Sequence, residues 1–306
     1  MVLPKYDSRG SEAAAANVSK HENVRFTGSG AIGRSAAYDG TPRNQSNLEF
    51  GEGAQGDVTN GSSGLSNKTL AALRISKSFG FKFGTASTPI EINAATAYID
   101  APRAEVHLKG SFDRIIVNRI PYLFTLQADA GSGKGIRDLV VIGDNGTISI
   151  TDDVRVDRVF LYGSSVRVDV GEDVESYSGT GAETGPLEMR VGRGNRLDGV
   201  SNLNKVVVAG GRATFNTCEE LIQFGSTSRT EFNGPISDGK VFEGILTTPE
   251  GQAGSPSRIV GGVQFFGGSV ETNHDVITNT SGGGGGFPIE GSARLRLRVG
   301  QTVEIA

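Results

Sequence analysis

The sequence is short of several residue types, and each shortage excludes a class of protein. Among 306 residues there is one cysteine, Cys218, which excludes a disulfide within the chain and a zinc site built from several cysteines. No apolar run reaches the roughly 18 residues that a membrane-spanning helix needs. The first residues also lack the basic and then apolar layout of a secretory signal. We therefore expect folding in the cytoplasm.

Other shortages concern function. Tryptophan, a common sugar-stacking side chain, is absent, and the formal charge of −4 gives no general attraction to nucleic acid or to an anionic membrane. The three histidines, His21, His107 and His274, are far apart and have no acidic or cysteine partner at ligand spacing. No metal site or catalytic triad can be assembled from them.

What the chain does have is glycine and short alternating apolar runs. There are 45 glycines, and the apolar residues are spread through short stretches bounded by Gly, Pro, Asn or Asp. The run Phe79–Phe83, with three alternating phenylalanines, is typical of these stretches. Many short strands separated by turns are therefore predicted, and the fold class is all-β.

The stretch Arg137–Val174 contains one unit twice. When it is shifted by about twenty residues, Leu139–Gly143 falls on Val159–Gly163, and Ile148–Val154 falls on Val168–Val174. Each copy has a strand, a glycine turn, an alternating strand and an acidic corner.

The repeat extends in both directions. Towards the N-terminus, a shift of about 24 residues brings Ile115–Val117 onto Leu139–Val141, and Phe124–Leu126 onto Ile148–Ile150. Towards the C-terminus, an interruption over residues 176–196 is followed by further matches. These are Lys205–Gly210 on Arg158–Gly163, Phe215 on Val168, and a weaker copy at Ile222–Gly225 and Thr230–Phe232.

A unit of about 20 to 24 residues is too small to bury its own apolar side, so it is stable only when stacked on copies of itself. With strands rich in β-branched residues, this predicts a β-solenoid (β-helix-like) body over residues 69–235. A β-sandwich or jelly roll, whose hairpins also produce pseudo-repeats, is the alternative.

Two segments flank this body. Residues 1–68 form an extended arm rich in Gly, Ser and Asn that cannot bury enough apolar surface to order itself. We expect a neighbouring subunit or partner to hold it; the alternative is an arm folded back on its own domain. One or two helical turns are predicted at Ser11–Asn17. Residues 236–306 carry no copy of the repeat, which predicts a C-terminal β cap or a small β domain.

The end of the chain alternates strictly after the glycine run Gly282–Gly286. The run Ala293–Val299 predicts a closing strand with Arg294, Arg296 and Arg298 on one face. This arginine face is a candidate surface for an acidic partner. A solvated edge strand that resists pairing has the same pattern.

The acidic corners of the repeat are the main candidates for chemistry. They consist of Asp152, Asp153, Glu172 and Asp173, with Glu219 and Glu220 as a third copy. In stacked turns these carboxylates form columns with neighbours roughly 4.8 Å apart. Such columns need full solvation, an arginine or a cation such as calcium. A glycosidase carboxylate pair is the catalytic alternative.

Two glycine-rich motifs have weaker cases. Gly28–Gly33 matches a dinucleotide fingerprint, but the residues after it are too few for the helix that the fingerprint needs. Gly131–Gly135 departs from a phosphate-binding loop at both ends. We expect a glycine-rich arm and a solvated loop instead, and no cofactor. His107 is expected to face solvent, and nothing marks Cys218 as a nucleophile.

An extended arm, the repeat at Arg137–Val174, a distinct C-terminal β cap and the lack of a catalytic constellation together resemble a bacteriophage virion structural protein. The resemblance covers most of the chain in overall style. It implies a symmetric homo-oligomer, often a trimer, with binding surfaces in place of an active site. It also implies a location in the virion, with the major capsid protein or another virion protein as partner.

Three functions remain open on this basis. The first is a non-enzymatic protein that decorates or stabilises a capsid through its N-terminal arm. The second is a tail-fibre or spike protein that binds a receptor through its C-terminal cap. The third is a polysaccharide-degrading β-helix enzyme, for which the acidic corners would supply the carboxylates.

Overall fold

A computed structural model describes the chain in separate ranges. These are residues 6–8, 23–26, 37–38, 47–51, 56–60, 69–76, 79–127, 135–151, 154–170, 188–199, 202–215, 217–232, 236–247, 258–259, 263–272, 276–278, 294–297 and 303–305. Every regular element in these ranges is a β-strand. The all-β prediction is thus confirmed. The chain divides into two compact units, residues 1–156 and 157–306, each described by itself below.

The first unit contains fourteen of the described strands. They are β1 (Tyr6–Ser8), β2 (Asn23–Phe26), β3 (Ala37–Tyr38), β4 (Asn47–Phe50), β5 (Gly56–Asn60), β6 (Thr69–Ser76), β7 (Phe79–Phe83), β8 (Ile90–Glu91), β9 (Asn93–Asp100), β10 (Arg103–Lys109), β11 (Phe112–Arg119), β12 (Leu123–Gln127), β13 (Gly135–Val141) and β14 (Gly146–Ile150).

The second unit contains the remaining strands, and the first of these starts two residues before the division. They are β15 (Arg155–Leu161), β16 (Val166–Val170), β17 (Glu188–Val191), β18 (Arg196–Gly199), β19 (Asn202–Ala209), β20 (Arg212–Phe215), β21 (Thr217–Phe224), β22 (Arg229–Phe232), β23 (Ile236–Val241), β24 (Ile245–Thr247), β25 (Arg258–Ile259), β26 (Val263–Phe265), β27 (Ser269–Thr272), β28 (Val276–Thr278), β29 (Arg294–Leu297) and β30 (Val303–Ile305).

Successive strands enter two sheets in turn. In the first unit one sheet has the order β1-β2-β4-β6-β9-β11-β13, and the other has β14-β12-β10-β7-β5-β3, with β8 also beside β10. In the second unit the orders are β15-β17-β19-β21-β23-β26 and β29-β27-β24-β22-β20-β18-β16, with a smaller sheet β25-β28-β30.

The described neighbours pair in parallel, as in β9 with β11, β10 with β12 and β19 with β21. A chain that returns to the same sheet in parallel after each visit to the other sheet is winding as a β-solenoid. This confirms the predicted fold. A sandwich or jelly roll is built from antiparallel neighbours, so that alternative is wrong.

The predicted register is confirmed within the first unit. Ile115 lies opposite Leu139 and Val117 opposite Val141. In the other sheet, Leu126 lies opposite Ile150. The apolar alternation of the repeat therefore did identify residues that stack on one another.

The repeat after Val170 differs from the prediction in two respects. The supposed interruption contains a further turn, made of β17 and β18. Beyond it, Val168 stacks on Leu197 and then on Ala213, so the predicted match with Phe215 is wrong by two residues. A slip of two residues keeps every side chain on the same face of a strand, so alternation alone cannot detect it.

The parallel ladders also reach into both predicted flanking segments. In the arm, β2 pairs with β4, and β4 pairs with β6 of the body. After residue 235, β23 pairs with β21 and β24 with β22. The arm therefore folds on its own domain at these strands, and the C-terminal segment begins with more solenoid turns. The predicted helix at Ser11–Asn17 lies outside the described residues.

The core between the two sheets of the first unit is apolar. The rings of Phe50, Phe81 and Phe83 are buried, and their centroids lie 5.2 to 6.1 Å apart. Phe81 and Phe83 are two of the three phenylalanines predicted to share one face. Burying each such ring contributes about 1.5–3 kcal/mol relative to leaving it exposed.

In the second unit, a buried asparagine fixes one corner between the sheets. Asn195 accepts a hydrogen bond from the Val166 backbone N–H at 3.0 Å. Its amide nitrogen donates to the carbonyl oxygens of Leu161 at 3.2 Å and Gly163 at 2.6 Å. One side chain thus binds three backbone groups of the preceding turn, at the corner between the end of β15 and the start of β16.

Glycines allow turns to approach each other at the corners. Gly110 has a φ of 135°, and a Cβ on it would lie 2.1 Å from the Ile92 carbonyl oxygen. No other residue fits there without moving the backbone. Gly194 also has a positive φ, 74°, but a Cβ on it would meet no atom closer than 3.8 Å.

Candidate binding face on the second unit

The outer face of one sheet in the second unit carries two columns of charge. The four residues Arg167, Arg196, Arg212 and Arg229 lie opposite one another on β16, β18, β20 and β22, and we call them the arginine column. Two residues further along each strand are Asp169, Asp198, Thr214 and Glu231, which we call the acid column.

The two columns neutralise each other at the first turns. The Nε of Arg167 donates to Asp169 at 2.6 Å and also lies 3.2 Å from a carboxylate oxygen of Asp198. The Nε of Arg196 donates to Asp198 at 2.7 Å. Because the hydrogen bond to Asp169 and its charge favour the charged guanidinium, the pKa of Arg167 is raised above its usual value. Like charges on adjacent turns are thereby compensated.

The third turn breaks this pattern. Thr214 occupies the position of the acid, and Arg212 instead donates through Nη2 to Glu231 of the next turn, at 3.1 Å. The Nε of Arg212 is buried and has no hydrogen-bond partner. The acid column therefore has no carboxylate at Thr214. The Arg212 Nε, which would donate to that carboxylate, is unsatisfied.

The sequence contains a signal for this face that the alternation of apolar residues does not reveal. The triplet Arg-x-acid occurs at Arg167, Arg196 and Arg229, and Arg212 begins the variant Arg-Ala-Thr. Each triplet falls at the start of the second strand of a turn. Its spacing varies because the loops between turns differ in length, which obscures the repeat.

Most of the predicted acidic corners are not among the residues that the structure describes. Asp152, Asp153, Glu172 and Asp173 all lie outside them, so the predicted cation or catalytic carboxylates stay predictions. The third corner is described and is wrong, because Glu219 and Glu220 lie within β21. Glu220 forms an ion pair with Lys205 of the adjacent strand at 2.9 Å.

The predicted arginine face at the C-terminus is described only in its backbone. Arg294 and Arg296 lie on β29, which pairs in parallel with β27, as expected for a strand that closes this sheet. Arg298 lies outside the described residues, as do His21, His274, residues 28–33 and residues 131–134. A partner for these arginines stays a prediction.

His107 was predicted to face solvent, and this is wrong. It lies between the inward-facing Val106 and Leu108 but is only 3% exposed. The turn at Gly84 lies against the His107 backbone, since a Cβ on Gly84 would be 3.1 Å from its carbonyl oxygen. Loops that lie on a sheet cannot be inferred from the alternation of the strand beneath.

His107 belongs to a small charged cluster. Its Nε2 lies 3.2 Å from Glu105, and the Lys82 Nζ lies 3.2 Å from the other oxygen of the same carboxylate. Burial acts to raise the pKa of Glu105, but the hydrogen bonds and charges of Lys82 and His107 outweigh it, so this pKa is lowered. The Nδ1 of His107 has no partner.

Cys218 is a buried structural thiol. Burial raises its pKa to about 12, against a weaker opposite effect of a backbone hydrogen bond at Glu220. A thiol in this state is almost entirely protonated at neutral pH and is therefore a poor nucleophile.

Three phenyl rings are partly exposed on successive turns of the second unit. Phe224, Phe242 and Phe266 directly follow Gln223, Val241 and Phe265, which lie opposite one another. Their exposed fractions are 44%, 42% and 37%. The rings of Phe242 and Phe266 stack with centroids 5.0 Å apart. We call these three residues the phenyl row.

Within the described part of the chain, no group of three or more His, Cys, Asp or Glu side chains is placed to hold a metal ion. No helix long and apolar enough to cross a membrane occurs there either. Comparison with known proteins gave no match to a protein-family model, to a curated protein sequence or to a solved structure. The charged columns and the phenyl row are thus the features from which function can be argued.

Proposed function

We propose that this chain is a non-enzymatic structural protein of a bacteriophage virion that decorates or stabilises the capsid. The observation that carries the proposal is that the charged side chains of the arginine and acid columns pair with each other. Arg167 and Arg196 each bind the carboxylate two residues along their own strand, and Arg167 also lies against Asp198 of the next turn, so these charges are used within the fold. A solenoid of this kind presents side chains in rows with a fixed spacing of about 4.8 Å, which suits a protein that acts through its surface.

Residues 1–68 are the proposed capsid-binding segment. Strands β2 and β4 tie this segment to the body through β6. The proposed partner is the major capsid protein or another virion protein. We further propose that the protein assembles as a homo-oligomer, with a trimer favoured, in the virion.

Imaging and binding to capsids test this proposal together. Virions of the phage that encodes this sequence should show the protein on the capsid, and purified protein should co-sediment with capsids that lack it. Deletion of residues 1–46, which keeps β4, should abolish co-sedimentation while the melting temperature of the body stays measurable and cooperative. Density only at the tail, or none on virions, would remove the proposal.

A tail-fibre or spike protein that binds a receptor is the second candidate. The phenyl row favours it, because exposed aromatic side chains are enriched at binding interfaces. In this case purified protein binds host cells, and the double substitution Phe242→Ser with Phe266→Ser weakens the binding. Tyr122→Ser in the first unit, where the ring is 73% exposed, is the control that should not affect it.

A further inference from the structure

The missing carboxylate of the acid column points to a binding site. In the turns of Arg167 and Arg196, the arginine Nε donates to the acid two residues further along the strand. At Arg212 that residue is Thr214, and the Nε has no partner. We propose that Arg212 and Thr214 form a subsite for one carboxylate, supplied by an Asp or Glu side chain of a partner protein.

The donors at this position match a carboxylate. The Arg212 side chain is 39% exposed, so it can turn its Nε outward to an oxyanion that arrives from solvent beside Thr214. The Thr214 side chain is partly exposed and lies on the same face of β20 as Arg212, two residues along the strand, so its hydroxyl is a second donor on that face. A carboxylate bound there receives a charge-assisted hydrogen bond and restores the pattern of the neighbouring turns.

The surrounding charges limit the partner to a single carboxylate. Asp198 lies one turn before Thr214 in the acid column and Glu231 one turn after it, each roughly 4.8 Å away along the column. A polymer with closely spaced negative charges would meet both of these carboxylates and be repelled. A single carboxylate also meets this repulsion, but the unsatisfied Nε of Arg212 offsets it for that one charge, whereas each further charge of a nucleic acid or a polyanionic sugar would add to the repulsion.

On the cationic side, two further arginines favour the same ligand. Arg196 and Arg229 flank Arg212 in the arginine column. The four arginines of this column face three carboxylates, Asp169, Asp198 and Glu231. One added carboxylate would give these four turns equal numbers of arginines and carboxylates. The inference rests on this ladder and not on the assignment to a virion.

The test follows the Nε–Hε signal of Arg212 by NMR in the ¹⁵N-labelled full chain, assigned by its loss in Arg212→Lys. The probe is the peptide acetyl-Gly-Glu-Gly-amide, and the matched peptide with Gln is its control. The Glu peptide should shift the signal saturably, the Gln peptide should not, and acetate should compete with the Glu peptide at constant ionic strength.

Two variants separate this subsite from a general charge effect. Thr214→Asp supplies the missing carboxylate from within the chain, so its Arg212 signal should be shifted without ligand and its affinity for the Glu peptide should fall at least ~10-fold. Ser226→Asp adds the same charge on an exposed loop and should bind like the unmodified protein. Circular dichroism melting checks that both variants fold.

The proposal fails if the Glu peptide gives no saturable shift at Arg212, or if Thr214→Asp responds as the unmodified protein does. A decaglutamate peptide that binds more than ~10-fold tighter than the single-Glu peptide would contradict the restriction to one carboxylate. If the protein does not bind capsids but its Arg212 signal responds to the Glu peptide, the proposed function is removed and this subsite stands.

Discussion

Asn195 provides the sharpest test of how the solenoid corners are held. Replacing it with alanine removes its hydrogen bonds to Val166, Leu161 and Gly163. The Leu161 oxygen keeps a bond from the Gly192 N–H, but the Val166 N–H loses its partner in a buried place. An unsatisfied buried donor costs about 1–3 kcal/mol and a lost neutral hydrogen bond about 1 kcal/mol. We expect Asn195→Ala to lower the free energy of unfolding by about 2–4 kcal/mol.

Asn195→Asp makes the same test sensitive to pH. It keeps an acceptor for Val166 but puts an oxygen where the amide donated to two carbonyl oxygens. At pH 7 this variant should be at least as unstable as Asn195→Ala. Burial and those carbonyl groups should raise the pKa of the new carboxyl in the folded state above its ordinary ~3.9. Its loss of stability should therefore be largest above the raised pKa and should shrink as the pH falls through it.

The assays are urea unfolding at pH 7 and pH 5, and hydrogen exchange of the Val166 amide. Exchange gives the local effect, since each solenoid turn contacts only its neighbours. Asn118→Ala, at an exposed strand position, is the control and should change stability by no more than about 0.5 kcal/mol. The hydrogen bonds of Asn195 do not hold the corner as described if Asn195→Ala loses no more stability than Asn118→Ala. The same conclusion follows if Asn195→Asp is more stable than Asn195→Ala at pH 7.

Three other predictions concern different parts of the chain. Gly110→Ala should cost more than Gly194→Ala, by upwards of about 2 kcal/mol in urea unfolding, because only Gly110 faces a backbone oxygen at clashing distance; equal costs would contradict the packing of that corner. The lowered pKa of Glu105 stabilises the fold above its ordinary value of 4.5, and this contribution should be lost as the pH falls below that value. Glu105→Gln should flatten this part of the stability profile, and an unchanged acid limb would count against the cluster. With a pKa of about 12, Cys218 should resist iodoacetamide at pH 8 in the native protein and react once unfolded in guanidinium; rapid labelling of the native protein would show that the thiol is accessible.

The predicted parts of the fold rest on side-chain alternation. The runs at residues 115–117 and 139–141 were matched correctly, because inward-facing residues of stacked turns must all be apolar. The same rule could not detect a two-residue slip, so Phe215 was matched in place of Ala213. It also missed the turn of β17 and β18, whose strands are only four residues each.

The binding face was predictable only in part. The triplets at Arg167, Arg196 and Arg229 can be read from the sequence. That they form one column requires the strand register, because the loops between them have unequal lengths. That Thr214 leaves a donor unsatisfied becomes visible only in the structure, where the Nε of Arg212 has no hydrogen-bond partner.

The sequence by itself determined the fold class and the solenoid, because local alternation and the length of the repeat are properties of the chain alone. Only the tertiary structure decided which turns are adjacent, that His107 is buried and that Glu220 pairs with Lys205. These depend on contacts between residues brought together by winding, and a short-range pattern does not tell which residues pair across loops of unequal length. The carboxylate binding that we propose depends on such contacts, above all at Thr214, where the acid column lacks its acid.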